Sequence, residues 1–388
     1  MSSLADIYNI ADIRSRARGR LPKGIFEFID RGAEDDEAIR TNLEAFRRIK
    51  LRPQVLVDVS KRSTATRLFG RELGMPLAIA PTGAAGLVSF RGELALARAA
   101  AEAQIPFTLA TRSMSSIEDL AGAGGVLWFQ LYMWRERAKS HELVERVNQA
   151  GIDALIVTLD VPVAPNREFN RRNGFTFPFK RSARSIVDML RHPRWLAGVI
   201  GRYYANGGMP KYESHPGITN DLTWDDIREL RKRWPRTLMV KGILRPEDAV
   251  KAVALGVDGI IVSNHGGRCL DASIATIDTL PDIVNAVGAK ATVLVDGGIR
   301  RGTDIVKALA LGAASVLSGR PCLYGLAVSG EAGAKKVLSI FRDELSTVMG
   351  QVGCPTVGAI GPHILSRGEP AGGQRGRPVD DCARTTME

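Results

Sequence analysis

The chain has 388 residues, of which 45% are hydrophobic and 24% charged, and no apolar run reaches the 18 or so residues a spanning helix needs. That balance excludes a largely disordered chain and a collagen-like one. The net charge of +11 is concentrated between Arg167 and Lys211, where ten Lys/Arg stand against two Asp/Glu; with no helix-turn-helix and no RNP aromatics, a nucleic-acid partner is not expected.

Residues 1–70 open without the apolar core of a secretory signal and read as a helical segment covering the bottom or rim of a larger domain. Then short runs that are apolar on both faces recur: Leu77–Ala80, Phe107–Ala110, Leu127–Leu131, Ala154–Thr158, Leu238–Lys241, Gly259–Val262, Thr292–Val295 and Ser315–Ser318. Each reads as a buried parallel strand. Helical spacing fills the gaps: Leu94–Ala103, Ile117–Ala121, Leu143–Ala150, Ile227–Trp234, Ala249–Leu255, Ile277–Val287 and Ile305–Leu311. Gly151, Gly256 and Gly312 stand at helix ends, where a left-handed cap favours glycine. Segments 246–256 and 302–312 resemble one another, a weak repeat of the strand–helix unit. Eight such units predict an α/β fold of the TIM type, a (β/α)8 barrel over residues 71–365, with a long insertion at 167–222 after the fourth strand. A doubly wound sheet would want a GxGxxG turn after its first strand, which is absent. The tail, 366–388, is rich in Gly, Arg, Pro and Thr and reads as disordered. Cys269, Cys322, Cys354 and Cys382 lie far apart and read as reduced thiols of a cytoplasmic protein, with no metal site.

In barrels the chemistry lies just past the C-terminal strand ends. There the sequence places Pro81-Thr82-Gly83, Gln130 and Tyr132, Thr158 and Asp160 with Arg167 beyond, Lys241, Ser263-Asn264-His265-Gly266-Gly267-Arg268, Asp296-Gly297-Gly298-Ile299-Arg300 and Ser318-Gly319-Arg320. The last two turns suit a phosphate, with glycine backbone N–H groups and two arginine forks. His265, Asp160, Tyr132, Lys241 and Arg268 converge on one rim. That set offers a base, an orienting carboxylate and an arginine for an anionic substrate. Lys241 ends an apolar strand and needs an anionic or electron-rich partner there.

The stretch Ser263–Asp271 resembles the signature of the FMN-dependent L-2-hydroxy acid oxidases and dehydrogenases, a family that includes glycolate oxidase, respiratory lactate dehydrogenase and mandelate dehydrogenase. The likeness runs from about Leu21 to Cys354 and includes Leu21-Pro22-Lys23, Gly32–Asp35, Pro81–Gly83, Phe129–Tyr132, Lys241-Gly242, Asp296–Gly302 and Gly319–Pro321. The resemblance implies FMN as cofactor, a homotetramer, and oxidation of a 2-hydroxy acid to the 2-oxo acid. It implies that His265 takes the substrate's α-proton or hydroxyl proton, that Asp160 stabilises the imidazolium, that Arg268 and Arg167 hold or surround the carboxylate, and that Tyr132 bonds the substrate oxygen. Lys241 would offset charge on the reduced cofactor. Pro81, Thr82, Gly83, Gln130, Thr158 and Ser263 would meet the ring system, Asp296 the ribityl chain, and Gly297, Gly298, Arg300, Gly319 and Arg320 the phosphate.

Some positions depart from the family pattern. Phe26 stands where the resemblance expects a tyrosine that binds the substrate carboxylate, Arg112 where a Trp or small residue is usual, and Cys269 replaces a Gln. Arg112 could supply the contact Phe26 lacks. Gly83, in place of a common Ala, resembles the mandelate dehydrogenase branch and leaves room for an aromatic substrate. Segment 176–215 interleaves arginines with Ile186, Val187, Leu190, Trp195, Val199 and Tyr203, which suits an anionic membrane surface on the inner face of the cell membrane; His192–Trp195 resembles the docking segment of membrane-bound members. A membrane reading implies a quinone as electron acceptor. A soluble oxidase using oxygen and making hydrogen peroxide is the alternative, and a retired barrel binding membrane or nucleic acid a second.

Overall fold

The computed structural model describes residues 4–174, 183–209 and 217–366. The tail beyond residue 366, with Cys382, and residues 175–182 and 210–216 of the insertion lie outside the described residues.

Eight parallel strands, β1 Leu77–Ile79, β2 Phe107–Ala110, β3 Leu127–Leu131, β4 Ala154–Thr158, β5 Thr237–Ile243, β6 Gly259–Val262, β7 Thr292–Val295 and β8 Ser315–Ser318, pair in chain order. The barrel closes where Val316 of β8 sits opposite Leu77 of β1. The helices between them start earlier than their apolar spacing suggests, at Arg137 and Trp224 for example. Their first turns are polar and face water, and capping fixes them, as in the reciprocal bonds of Thr223 and Asp226.

Side chains alternate along each strand. Ala78, Trp128, Ile156, Met239, Ile261, Leu294 and Leu317 point inward and fill the barrel. Their neighbours, such as Leu155, Val157, Leu238 and Val240, pack against the helices. One more inward step at each C-terminal end gives Ala80, Gln130, Thr158, Lys241, Ser263, Asp296 and Gly319. The period of two thus changes from apolar fill to chemistry at one level of the barrel. The opposite end is plugged by the hairpin Thr66–Leu68/Arg71–Leu73, whose Leu68, Phe69 and Leu73 complete the interior cluster.

The N-terminal helices α1 Ile10–Arg20, α2 Lys23–Asp30 and α3 Glu37–Arg48 do not cover the plugged end. α2 and α3 sit at the chemical end. Asn42 and Asn264 exchange two side-chain hydrogen bonds of 2.9 and 3.0 Å, and Asp271 accepts from the backbone N–H groups of Asp35 and Ala38. In the insertion, Trp195, Val199 and Tyr203 are buried. The Trp195 indole donates to the Leu87 carbonyl at 2.8 Å, and the Tyr203 hydroxyl accepts from the Arg91 N–H at 3.2 Å. Ile186, Val187 and Leu190, on the helix Ala183–Leu190, stay 44–63% exposed. The apolar stripe expected to face outward as a whole is therefore divided. Its second half docks on residues 85–91, because spacing by four residues stacks three large side chains on one face.

Candidate active site

A cavity of about 580 Å3 opens at the C-terminal strand ends. Among the described residues, seven Lys and Arg side chains line it (Arg112, Arg135, Arg167, Lys241, Arg268, Arg300 and Arg320) against one carboxylate, Asp296. So lopsided an inventory demands anionic ligands.

His265 sits on the loop after β6 with φ 58°, a left-handed conformation unusual for a non-glycine residue. This turn aims the ring into the cavity. Nδ1 lies 2.9 Å from Asp160 Oδ1, and Nε2 lies 3.2 Å from the Tyr132 hydroxyl. Burial alone would favour the neutral imidazole, but Tyr132 and Asp160 outweigh it and raise the His265 pKa well above its ordinary value. Asp160, despite its burial, is held below the usual carboxylate range by His265 and Lys241. Its second oxygen is buried without a partner among the described residues.

Lys241 finds its anionic partner inside the protein. Its Nζ donates to Asp296 Oδ2 at 2.8 Å and to the Ser263 hydroxyl at 2.6 Å. Burial opposes its charge, yet Asp296 and Asp160 keep it protonated, with the pKa raised. Ser263 accepts from Lys241 Nζ and from the His265 N–H of its own loop, and is not among the residues that line the cavity. Gln130 donates through Nε2 to the Thr158 hydroxyl at 2.9 Å, which holds both at the floor.

Two arginines flank the histidine. Arg167 donates to the Arg268 carbonyl at 3.1 and 3.2 Å. Arg268 donates to the carbonyls of Phe28 and Arg31 at 2.8 and 2.9 Å. Burial lowers the pKa of both, and that of Arg268 falls well below its usual value with Arg167 and Arg320 adding repulsion. Arg320, pushed by burial and Arg300 down to about 10, donates to the Asp30, Gly266 and Arg31 carbonyls.

Phe26 is a correction. It is buried against Tyr324, ring centroids 6.4 Å apart, and lies outside the cavity. The aromatic that reaches the cavity from α2 is Phe28, whose ring lies 5.3 Å from the Arg268 guanidinium carbon. Positions two apart on a helix face roughly opposite sides, so counting from Leu21-Pro22-Lys23 puts the role on the wrong face. Arg112 and Gly83 do line the cavity, as do Pro81 and Thr82. Arg135 and the wall 161–165 line it too, and no motif marks them in the sequence. Cys269 is a free thiol near the dyad: one ligand-type atom each from Asp160, His265 and Cys269 falls within 4.8 Å of the others.

The residues present fit FMN. Asp296 Oδ1 is a buried acceptor without a partner among the described residues, suited to a hydroxyl of a sugar-alcohol chain. Gly297 and Gly298 take φ 88° and 86° and bring backbone close to the cavity. Arg300 and Arg320, at the same end, form no salt bridge among the described residues and suit a phosphate.

The model of the family described as FMN-dependent dehydrogenase matches residues 17–367. The chain is 40% identical to (S)-mandelate dehydrogenase of Pseudomonas putida, over 93% of this chain and 94% of that protein. It is 42% identical to L-lactate oxidase of a Nostoc species, over 94% of this chain and all of that one. Among solved structures, a monotopic membrane protein, (S)-mandelate dehydrogenase, superposes with a TM-score of 0.88 at 39% identity, covering 93% of this chain and 99% of the other.

Proposed function

The chain belongs to the FMN-dependent dehydrogenase family and is an FMN-dependent 2-hydroxy acid oxidoreductase, and we propose that it oxidises an L-2-hydroxy acid of mandelate or lactate type and delivers the electrons to a quinone at a membrane surface. The observation that carries the reading is the His265–Asp160 dyad placed between two arginines with free donors. FMN, when bound, supplies the two-electron acceptor. Arg167 and Arg268 hold the substrate carboxylate through the donors not already engaged on backbone carbonyls. Tyr132 bonds the substrate oxygen beside His265 Nε2. His265, once neutral, accepts the substrate proton at Nε2, and Asp160 stabilises the imidazolium so formed through Nδ1. Lys241 and Gln130 with Thr158 would meet the ring system, Asp296 the ribityl chain, and Arg300, Arg320 and the glycines at 297, 298 and 319 the phosphate.

The exposed Ile186, Val187 and Leu190 support a peripheral membrane location for electron delivery; among the described residues no helix is long and apolar enough to cross a membrane. The alternative acceptor is oxygen, in keeping with the oxidase activity of the Nostoc relative. Anaerobic mixing with L-2-hydroxy acids tests the chemistry through loss of flavin absorbance. In His265→Gln, bleaching is expected to slow by roughly 100–10,000-fold, the usual range for a lost general base, while FMN content stays normal. Normal bleaching in that variant would overturn the assignment. Stoichiometric peroxide under air, with no acceleration by a quinone analogue, would replace the quinone with oxygen.

A further inference from the structure

We infer that the substrate carries a second anionic group, a carboxylate or phosphate on the side chain of the 2-hydroxy acid, and that Arg112 receives it. The inference rests on the oxidation proposed above and names its substrate class.

Among the described residues, the charges around the cavity leave Arg112 and Arg135 over, and Arg112 is the one beside the base. Lys241 is matched by Asp296, and His265 by Asp160. Arg300 and Arg320 stand together at the end that fits a cofactor phosphate. Arg167 and Arg268 flank His265 and suffice for one carboxylate, which a guanidinium fork binds with two parallel hydrogen bonds. Arg112 has no salt bridge and no side-chain hydrogen bond among the described residues. Its guanidinium lies over the face of Tyr132, with the central carbon 5.7 Å from the ring centroid. The same tyrosine touches His265 through its hydroxyl, so Arg112 stands one aromatic ring away from the base. Its field also reaches Arg167, where it adds to burial in disfavouring the charge. Two guanidinium groups in one cavity with no acid between them repel, and a dianion spanning them removes that cost.

Space points the same way. A Cβ on Gly83 would lie 3.3 Å from both Cβ and the carbonyl oxygen of Arg112. The glycine therefore avoids crowding the base of the Arg112 side chain and leaves room beside it. Arg135 lines the same cavity and has no salt bridge among the described residues. An aromatic side chain stacked on Arg112 is the competing use of that room.

The test uses the FMN-loaded enzyme under anaerobic conditions. Second-order bleaching rates are measured for L-2-hydroxyglutarate and its 5-methyl ester, which differ by one charge at nearly equal length. L-2-hydroxy-3-phosphopropionate provides the phosphate arm, and L-lactate and (S)-mandelate the monoanions. The diacid or the phosphate is expected to react at least about tenfold faster than the ester, the size of one charged hydrogen bond, with the advantage shrinking as salt is raised. Whichever dianion is faster identifies the group. Arg112→Leu should bring the diacid-to-ester ratio close to one, and Arg112→Lys should restore part of it. Equal rates for diacid and ester in the wild type, or mandelate faster than every dianion, would overturn the inference and leave the oxidation standing. If no 2-hydroxy acid bleaches the flavin, the oxidation reading fails and this one with it. The salt dependence and the ester comparison need no variant, so a folding defect at Arg112 does not remove the test.

Discussion

The His265 ring donates from Nδ1 to Asp160 Oδ1 at 2.9 Å, and the second oxygen of that carboxylate is buried with no partner among the described residues. Two neighbours help set the charge of the pair: Tyr132 raises the His265 pKa and Lys241 lowers that of Asp160.

The pH dependence has a definite sign. His265 must be neutral to accept a proton, and its pKa is raised, so kcat/KM is expected to climb with pH through a midpoint above the ordinary histidine value of about 6.5. In Asp160→Asn the midpoint moves down, because the stabilising charge is gone. The plateau falls roughly 10–150-fold, the equivalent of one charge-assisted hydrogen bond. A pH–rate profile of both proteins checks this. Stability of the FMN-free protein obeys the same linkage. The raised His265 contributes stability that is full below about pH 6.5 and is lost as pH rises through its folded value. The lowered Asp160 contributes stability present above the ordinary carboxylate range and lost as pH falls through its folded value. The alkaline loss should shrink in Asp160→Asn, with the share due to Tyr132 remaining.

Lys241 and Asp296 form an ion pair with side chains 5% and 9% exposed. Removing one partner of such a pair strands the other charge in the interior and typically costs about 3–5 kcal/mol. Lys241→Met should therefore destabilise the FMN-free protein by that amount in a denaturant titration, and it should also weaken FMN binding. A variant with unchanged stability would mean that Asp296 finds water or another donor.

Gly83→Ala adds one methyl group where Arg112 already approaches. The larger substrates lose first. The ratio of kcat/KM for mandelate over lactate is expected to fall roughly 10–200-fold, the range for one methyl-sized change in an apolar pocket. Steady-state assays with both acids decide it.

Ile186, Val187 and Leu190 are exposed on one helix of the insertion, whereas Trp195 and Tyr203 are packed inward. Replacing the three exposed residues with serine should reduce binding to anionic vesicles at least about tenfold, given ~1.5–3 kcal/mol for each buried aliphatic side chain, and leave flavin content and bleaching intact. Trp195→Ser should instead destabilise the fold. Vesicle co-sedimentation and thermal melts separate the two effects.

The barrel strands are legible in the sequence because buried parallel strands are apolar on both faces, and six of the eight have the bounds expected. Helix starts are less legible, since Arg137 and Trp224 begin polar turns that carry no apolar spacing. At the site, strand-end residues such as Gln130, Thr158 and Lys241 can be read from alternation. Phe28 cannot, because a motif count gives position along a helix but not the face. The split of the insertion into a docked half and an exposed half depends on residues 85–91, far away in the chain.

The guanidinium groups of Arg268 and Arg320 are both tied to main-chain carbonyls of residues 28–31. Those carbonyls belong to the end of α2 and the turn after it. The segment before residue 35 is thereby a structural part of the anion sites, although it contributes none of their charge. A chain cut back to residue 50 would retain every barrel strand and the whole dyad. It would nevertheless set two guanidinium groups swinging in a cavity that has lost a wall. Minimising this enzyme from its N-terminus would cost it its ligands before it cost it its barrel.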